Sequence, residues 1–216
     1  MHIREPYFSK LFKPAVFALA LVPLALLGWG VWQDTLGANP IETVTRSLGE
    51  WGLRFLLLTL LVSTLRRVTG WVQVLRLRRM LGLFAFFYGT LHLLSYVWLD
   101  QFFDWEEIWL DILDRPFMTV GMLAFVLMVP LAATSFQAAI RRLGRNWQRL
   151  HRLVYPLTLL GVLHFWWLAD SKVRTDMPLV YSVLLALLLG ERLYQFARKR
   201  GQGRVLSRAG GSSGIA

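Results

Sequence analysis

No cysteine occurs in the 216 residues. That absence excludes a disulfide framework, cysteine-ligated zinc, an iron–sulfur cluster and covalently attached haem. Charge is scarce too: 17% of residues are charged, against 56% hydrophobic. A soluble domain of this size needs more polar surface to cover itself. No glycine-rich fingerprint opens a strand–turn–helix unit, which excludes nicotinamide binding by the usual dinucleotide route. Repeats at solenoid periods are missing, and the only low-complexity piece is the tail GGSSGIA. The longest stretch outside the apolar blocks is about twenty residues, too short for a soluble catalytic domain.

What the chain has is apolar blocks. Six are long enough to cross ~30 Å of hydrocarbon at ~1.5 Å per residue. They run roughly over 14–33, 51–66, 80–99, 117–137, 153–169 and 178–195, and the second and fifth are short. The first is a poor signal peptide, because it lacks a small-x-small cleavage site and Pro14 and Pro23 interrupt it. The expected fold is therefore an all-α integral membrane protein, a six-transmembrane-helix bundle over 14–195. It is flanked by a short segment at 1–13 and a basic, flexible tail at 196–216.

Charge orients the bundle. With a cytoplasmic N-terminus, 19 of the 24 basic residues fall on inner segments and 11 of the 13 acids on outer ones. Such a Lys/Arg bias places both termini on the cytoplasmic side of the membrane. The sequence pI near 10.8 then reflects topology and anionic lipid. It gives no reason to invoke nucleic acid.

Four histidines remain. His2 is terminal. His92, in LFAFFYGTLHLLSYVW, and His164, in LTLLGVLHFWW, sit at comparable depth in the outer half of the third and fifth spans. An ionisable group there is costly and usually faces the bundle interior with a partner. The two are read either as neutral imidazoles bonded to backbone carbonyls or water, or as two axial ligands across one haem iron. Gly89, Thr90 and Gly161 lie one turn or less away and would make room for a flat macrocycle. His151 sits at the inner mouth of the fifth span, ~20 Å along an ideal helix from His164 but ~140° around it. Pro156 lies between them and could distort the helix. Where a matching ligand would stand in the third span, the residues are Arg78 and Arg79. His151 is thus a possible ligand with an unusual partner, a contact to a propionate or flavin, or an interfacial residue.

The ordered motifs NPIETVTRSLGEWGLRFLLLTLLVSTLRR, RLRRMLGLFAFFYGTLHLLSYVWLD, DRPFMTVGMLAF and LAATSFQAAIRRLGRNWQRLHRLVY cover nearly the whole chain. In these it resembles the ferric reductase-like transmembrane superfamily. More finely, it resembles the MsrQ (YedZ) family of haem-binding membrane subunits from bacterial methionine sulfoxide reductase systems. The resemblance implies b-type haem, one or two per chain, with His92, His164 and His151 as the haem-associated histidines. It also implies an FMN whose residues are not assigned. Electrons are expected to pass from membrane quinol to a periplasmic molybdenum-containing subunit, MsrP, which reduces methionine sulfoxide in periplasmic proteins. The larger oxidases of the superfamily carry a cytosolic flavin and nicotinamide domain after the last span. None follows within these residues, so the electrons are expected from another source, and the chain is an electron-transfer subunit rather than a catalytic one.

Two other function classes fit the residues alone. One is a stand-alone transmembrane ferric or oxygen reductase, the other a haem-free transporter or assembly factor. The inner arginines Arg66, Arg67, Arg76, Arg78, Arg79, Arg141, Arg142 and Arg145 could hold a phosphate or simply follow the positive-inside rule. The outer loop DQFFDWEEIWLDILDRP carries six acids. Its Phe102, Phe103, Ile108, Trp109, Ile112 and Leu113 fit one helical face. It reads as an interfacial helix, as a dock for an electron acceptor, or as both. Trp166 and Trp167 read as headgroup-belt aromatics.

Overall fold

The computed structural model describes residues 11–170 and 176–211, with side chains for 11–168 and 177–198. His2, Lys172, Arg174 and residues 212–216 lie outside the described residues. The chain forms α1 (Lys13–Trp32), α2 (Pro40–Thr69), α3 (Leu75–Ser95), α4 (Trp105–Asp114), α5 (Pro116–Ala133), α6 (Gln137–Leu143), α7 (Arg145–Leu150), α8 (Val154–Asp170) and α9 (Asp176–Gly211). A π-helical turn, Tyr96–Asp100, prolongs α3, and a 3-10 turn, His151–Leu153, leads into α8. No strand occurs among the described residues.

Five of these runs are long and apolar enough to cross a membrane: α1, α2, Val72–Asp100, α5 and the Met177–Arg198 part of α9. The sixth apolar block, α8, has 17 residues, about 26 Å of helix at ~1.5 Å per residue. The chain is a helical membrane protein. The second span, short in sequence, gains length from both ends. Asn39 accepts from the Glu42 N–H and Pro40 opens the first turn. At the other end Gly70, with φ 72°, closes onto the Arg66 carbonyl. The last helix continues past 195, where the bundle was expected to end, to Gly211.

Two helical hairpins make the core. The first pairs α2 with α3, the second pairs α5 with α8, and the two pack against each other. Glycine permits the close approach inside the first: a Cβ on Gly52 would meet the Gly89 backbone nitrogen at 3.4 Å. Helix α1 leans on α2 and α3, and α9 covers α2 and α8. Tyr88 ties α1 to the core. Its ring is fully buried against Phe55, and its hydroxyl donates to the Ala20 carbonyl at 2.8 Å while accepting from the Leu24 N–H at 3.2 Å. Those two groups are the i and i+4 partners of one helical hydrogen bond. The tyrosine therefore inserts into the α1 ladder, beside Pro23.

Helix α4 departs from the face expected for it. Phe102 and Phe103 precede the helix in left-handed conformations, with φ 46° and 63°. Trp109 and Leu113 are exposed, whereas Ile108 and Asp111 are buried. Asp111 is inside because it is satisfied there. It accepts from the Tyr96 hydroxyl at 2.8 Å and from Gln101 at 3.4 Å, and pairs with Arg115 at 3.0 Å. Five of the six loop acids, not six, are left for an outer rim.

Candidate functional site

A cavity of about 730 Å³ lies between the two hairpins, within the range of about 300–1,000 Å³ usual for cofactor sites. His92 enters it from α3 and His164 from α8. Their ring centres are 6.1 Å apart with planes at 73°. Each ring is tied back in the same way. His92 Nδ1 is 2.8 Å from the Thr45 carbonyl oxygen, and His164 Nδ1 is 2.7 Å from that of Phe117. A carbonyl oxygen only accepts, so both Nδ1 atoms carry the proton and donate. This leaves each neutral imidazole with its Nε2 lone pair for the cavity.

The spacing can be tested against a metal. An imidazole–metal bond is about 2.0 Å, and each ring centre lies about 1.1 Å beyond the bonding nitrogen, which puts two opposed ligands about 6.2 Å apart. The observed separation fits. Among the described residues no three His, Asp or Glu side chains converge as on a bare metal ion. Two imidazoles suit an iron whose other positions a macrocycle fills. The walls leave room for that plane. Gly49, Gly52, Gly89, Gly121 and Gly161 line the cavity. Thr90, expected there, instead donates to the Phe86 carbonyl along its own helix.

The two hairpins are copies of one design. The carbonyl-to-histidine separation is 47 residues in both. Gly52 and Ala124, Leu56 and Met128, Ala85 and Leu157, and Gly89 and Gly161 all line the cavity, each pair at the same offset as His92 and His164. The sequence hardly advertises this repeat, because beyond the histidines and two pairs of glycines the matched positions differ in residue type. Thr45, Gly49, Phe117 and Gly121 are therefore the site residues that the sequence reading missed. The one signal for them was glycine recurring inside apolar helices.

His151 is not brought to this cavity. It lines a second one of about 440 Å³, together with Arg78, Arg79, Arg152, Trp147 and Tyr155. The two cavities share Leu56, Met128 and Leu157 as a wall. At the constant offset, the counterpart of His151 in the first hairpin is Arg79, which explains why the sequence offered no second histidine pair. The His151 ring stacks on Trp147 at 4.0 Å, and its Nε2 is 3.2 Å from the Thr134 hydroxyl. That hydroxyl gives its own proton to the Pro130 carbonyl, so His151 Nε2 is the donor. Burial and the neighbouring Arg78 guanidinium hold the His151 imidazole below its ordinary pKa, which keeps it neutral at pH 7.

Electrostatics separate the cavities. Glu42, Arg46, Glu50, Asp100 and Arg115 line the first, and its arginines are paired, Arg46 with Glu42 at 3.3 Å and Arg115 with Asp111 at 3.0 Å. Among the described residues the second is lined by three arginines and no acid. Of the other inner arginines, Arg67 is paired with Glu191. Trp166, expected in a headgroup belt, donates to the Ser182 hydroxyl of α9.

Fold and site together define a ferric reductase like transmembrane component, and the family of that description matches residues 48–162. Curated relatives narrow this. A protein-methionine-sulfoxide reductase heme-binding subunit MsrQ from Azospira oryzae is 55% identical, covering 88% of this chain and 81% of its own. Namesakes from Bordetella pertussis and Herminiimonas arsenicoxydans are 52% and 46% identical, covering 89% and 94% of this chain and 93% and 94% of theirs. The chain belongs to the MsrQ family. No solved structure matches it.

Proposed function

We propose that the chain is a b-type haem electron-transfer subunit of a bacterial inner-membrane methionine sulfoxide reductase system. The observation that carries the reading is the facing pair His92 and His164, spaced for one metal and each pinned through Nδ1 to a backbone carbonyl. These two imidazoles would hold haem iron between them. Haem held there would supply reversible one-electron chemistry.

The remaining assignments follow from charge and position. The inner cavity, with His151, Arg78, Arg79 and Arg152, is the donor-side site. It takes membrane quinol, FMN or a second haem b, each a ring system that stacks beside Trp147 and His151 or sets an anion on the arginines. The Lys/Arg bias puts both termini and this cavity on the cytoplasmic side, and α8 completes a six-span bundle. The acceptor is a periplasmic molybdenum-containing reductase, MsrP, which meets the acidic outer face. The relatives' name, a heme-binding subunit of protein-methionine-sulfoxide reductase, supports the haem and the system.

The test is spectroscopic. Purified protein should show a Soret band and a low-spin bis-imidazole signal, and His92→Ala or His164→Ala should each abolish that signal. His151→Ala should leave it in place. A full bis-imidazole spectrum in either of the first two variants would overturn the pairing, and a protein purified without any Soret band would return the chain to the non-redox class.

A further inference from the structure

Gly49 and Gly121 stand against the back edges of the two histidines. A Cβ on Gly121 would sit 2.7 Å from His164 Nδ1 and 2.8 Å from its Cε1. On Gly49 it would sit 3.0 Å from His92 Nδ1 and 3.1 Å from its Cε1. Each glycine lies one helical turn after the carbonyl that accepts from the same ring, Thr45 before Gly49 and Phe117 before Gly121. Both are at helix-interior positions, where glycine costs about 1 kcal/mol relative to alanine. The other glycines of the cavity are not so placed. The nearest side-chain neighbours are a methionine tip at 3.5 Å for Gly89 and a leucine methyl at 3.4 Å for Gly161.

We infer that Gly49 and Gly121 are positioning residues for the two imidazoles. Each leaves the gap through which the ring reaches a carbonyl one turn back, and this fixes the ring's rotation and the aim of Nε2. A methyl group in that gap displaces a rigid ring, not a flexible tip. The ring then loses its carbonyl partner, and the aim of its Nε2 lone pair into the cavity changes. Partners of this kind raise the basicity of a ligating imidazole, and their loss costs about 10–100-fold in metal affinity. The occurrence of the same carbonyl, glycine and histidine at the same spacing in both hairpins argues against accident. The shorter clearance at Gly121 makes it the more sensitive of the two.

This inference rests on the haem reading above, and the experiment separates the two. Gly121→Ala, Gly49→Ala and Gly190→Ala are purified from membranes, Gly190 being the control because a Cβ there would meet nothing within 4 Å. Haem per chain, the low-spin electron paramagnetic resonance signal and the midpoint potential are measured for each. Gly121→Ala should bind haem about 100-fold more weakly and Gly49→Ala about 10-fold more weakly. Retained haem should have a changed low-spin signal and a more positive midpoint potential, since a less basic imidazole stabilises the oxidised iron less. Gly190→Ala should match the parent in all three measurements. If Gly121→Ala does not accumulate as a folded protein, Gly49→Ala decides, because there the ring needs to give by only a few tenths of an ångström. Parent-like signal and potential in the folded Gly→Ala variants at 49 and 121 overturn the positioning role and leave the haem reading standing. A parent protein without a bis-imidazole signal overturns both.

Discussion

Tyr88→Phe removes one oxygen atom and leaves the ring in place, which makes it a clean probe of how the first helix is held. Two hydrogen bonds go with that oxygen, to the Ala20 carbonyl and from the Leu24 N–H. Side-chain hydrogen bonds between membrane helices average about 0.6 kcal/mol, with a maximum near 1.7, so the pair is worth about 1–2 kcal/mol. The freed backbone groups can partly bond each other, which holds the value at this modest level. Tyr88→Ala also empties a fully buried ring site stacked on Phe55 at 5.3 Å and should cost a further 3–5 kcal/mol or so. The absence of cysteine makes the assay simple. Ala20→Cys places a single thiol on the buried face of α1, and its maleimide labelling rate reports how often that helix lifts away. A loss of 1–2 kcal/mol raises the rate about 5–30-fold. The outer low-spin haem signal should not change in Tyr88→Phe, because neither histidine touches the hydroxyl. Labelling rates within a factor of two in the two backgrounds would show that the hydroxyl does not hold α1.

Two further outcomes test the charged faces. Glu106→Lys with Glu107→Lys, both exposed on α4, should slow reduction of the periplasmic partner about tenfold at low ionic strength. The deficit should fade as salt shortens the Debye length to ~8 Å and below, while the haem spectrum stays unchanged. Equal rates at low salt would remove α4 from the dock. Arg78→Gln with Arg79→Gln should weaken whatever anion-bearing ring occupies the inner cavity by about 10–100-fold per arginine, since a charge-assisted hydrogen bond is worth roughly 1.5–3 kcal/mol. Flavin and haem quantitation per chain reads this directly. An unchanged cofactor content in the double variant refutes the anion role.

That the chain is a helical membrane protein was legible because hydrocarbon imposes it: long apolar blocks survive any detail of packing. That His92 and His164 would come to one cavity was legible for the same reason, since comparable depth in two apolar blocks is a property of residue number. What the sequence hid depends on neighbours. Asp111 reads as one more surface acid until Tyr96, Gln101 and Arg115 are seen around it. Gly49 and Gly121 read as helix-interior glycines until the imidazoles appear behind them. The carbonyls of Thr45 and Phe117 have no residue type at all, so no pattern could have flagged them. His151 was ambiguous because its angle around an ideal helix disagreed with its depth. The 3-10 turn His151–Leu153 resolves this by ending the regular α8 ladder before that residue.

The shared wall gives the two cavities a common logic. Leu56, Met128 and Leu157 close the outer cavity from below and the inner one from above, so the sites are separated by a single layer of side chains. That layer is apolar, and Leu157 is almost fully buried in it. A proton or metal ion crossing it would have to be stripped of water, at a cost of several kcal/mol. An electron needs no such solvation and no path of polar groups. Stacking two cofactor-sized cavities across one apolar layer therefore favours the electron over hydrated charge carriers. Among the described residues the second cavity is lined by arginines and no acid, whereas acids and paired arginines line the first. This polarity is the basis of the proposal that an anion-bearing donor binds on one side of the layer and an acceptor meets the acidic rim on the other.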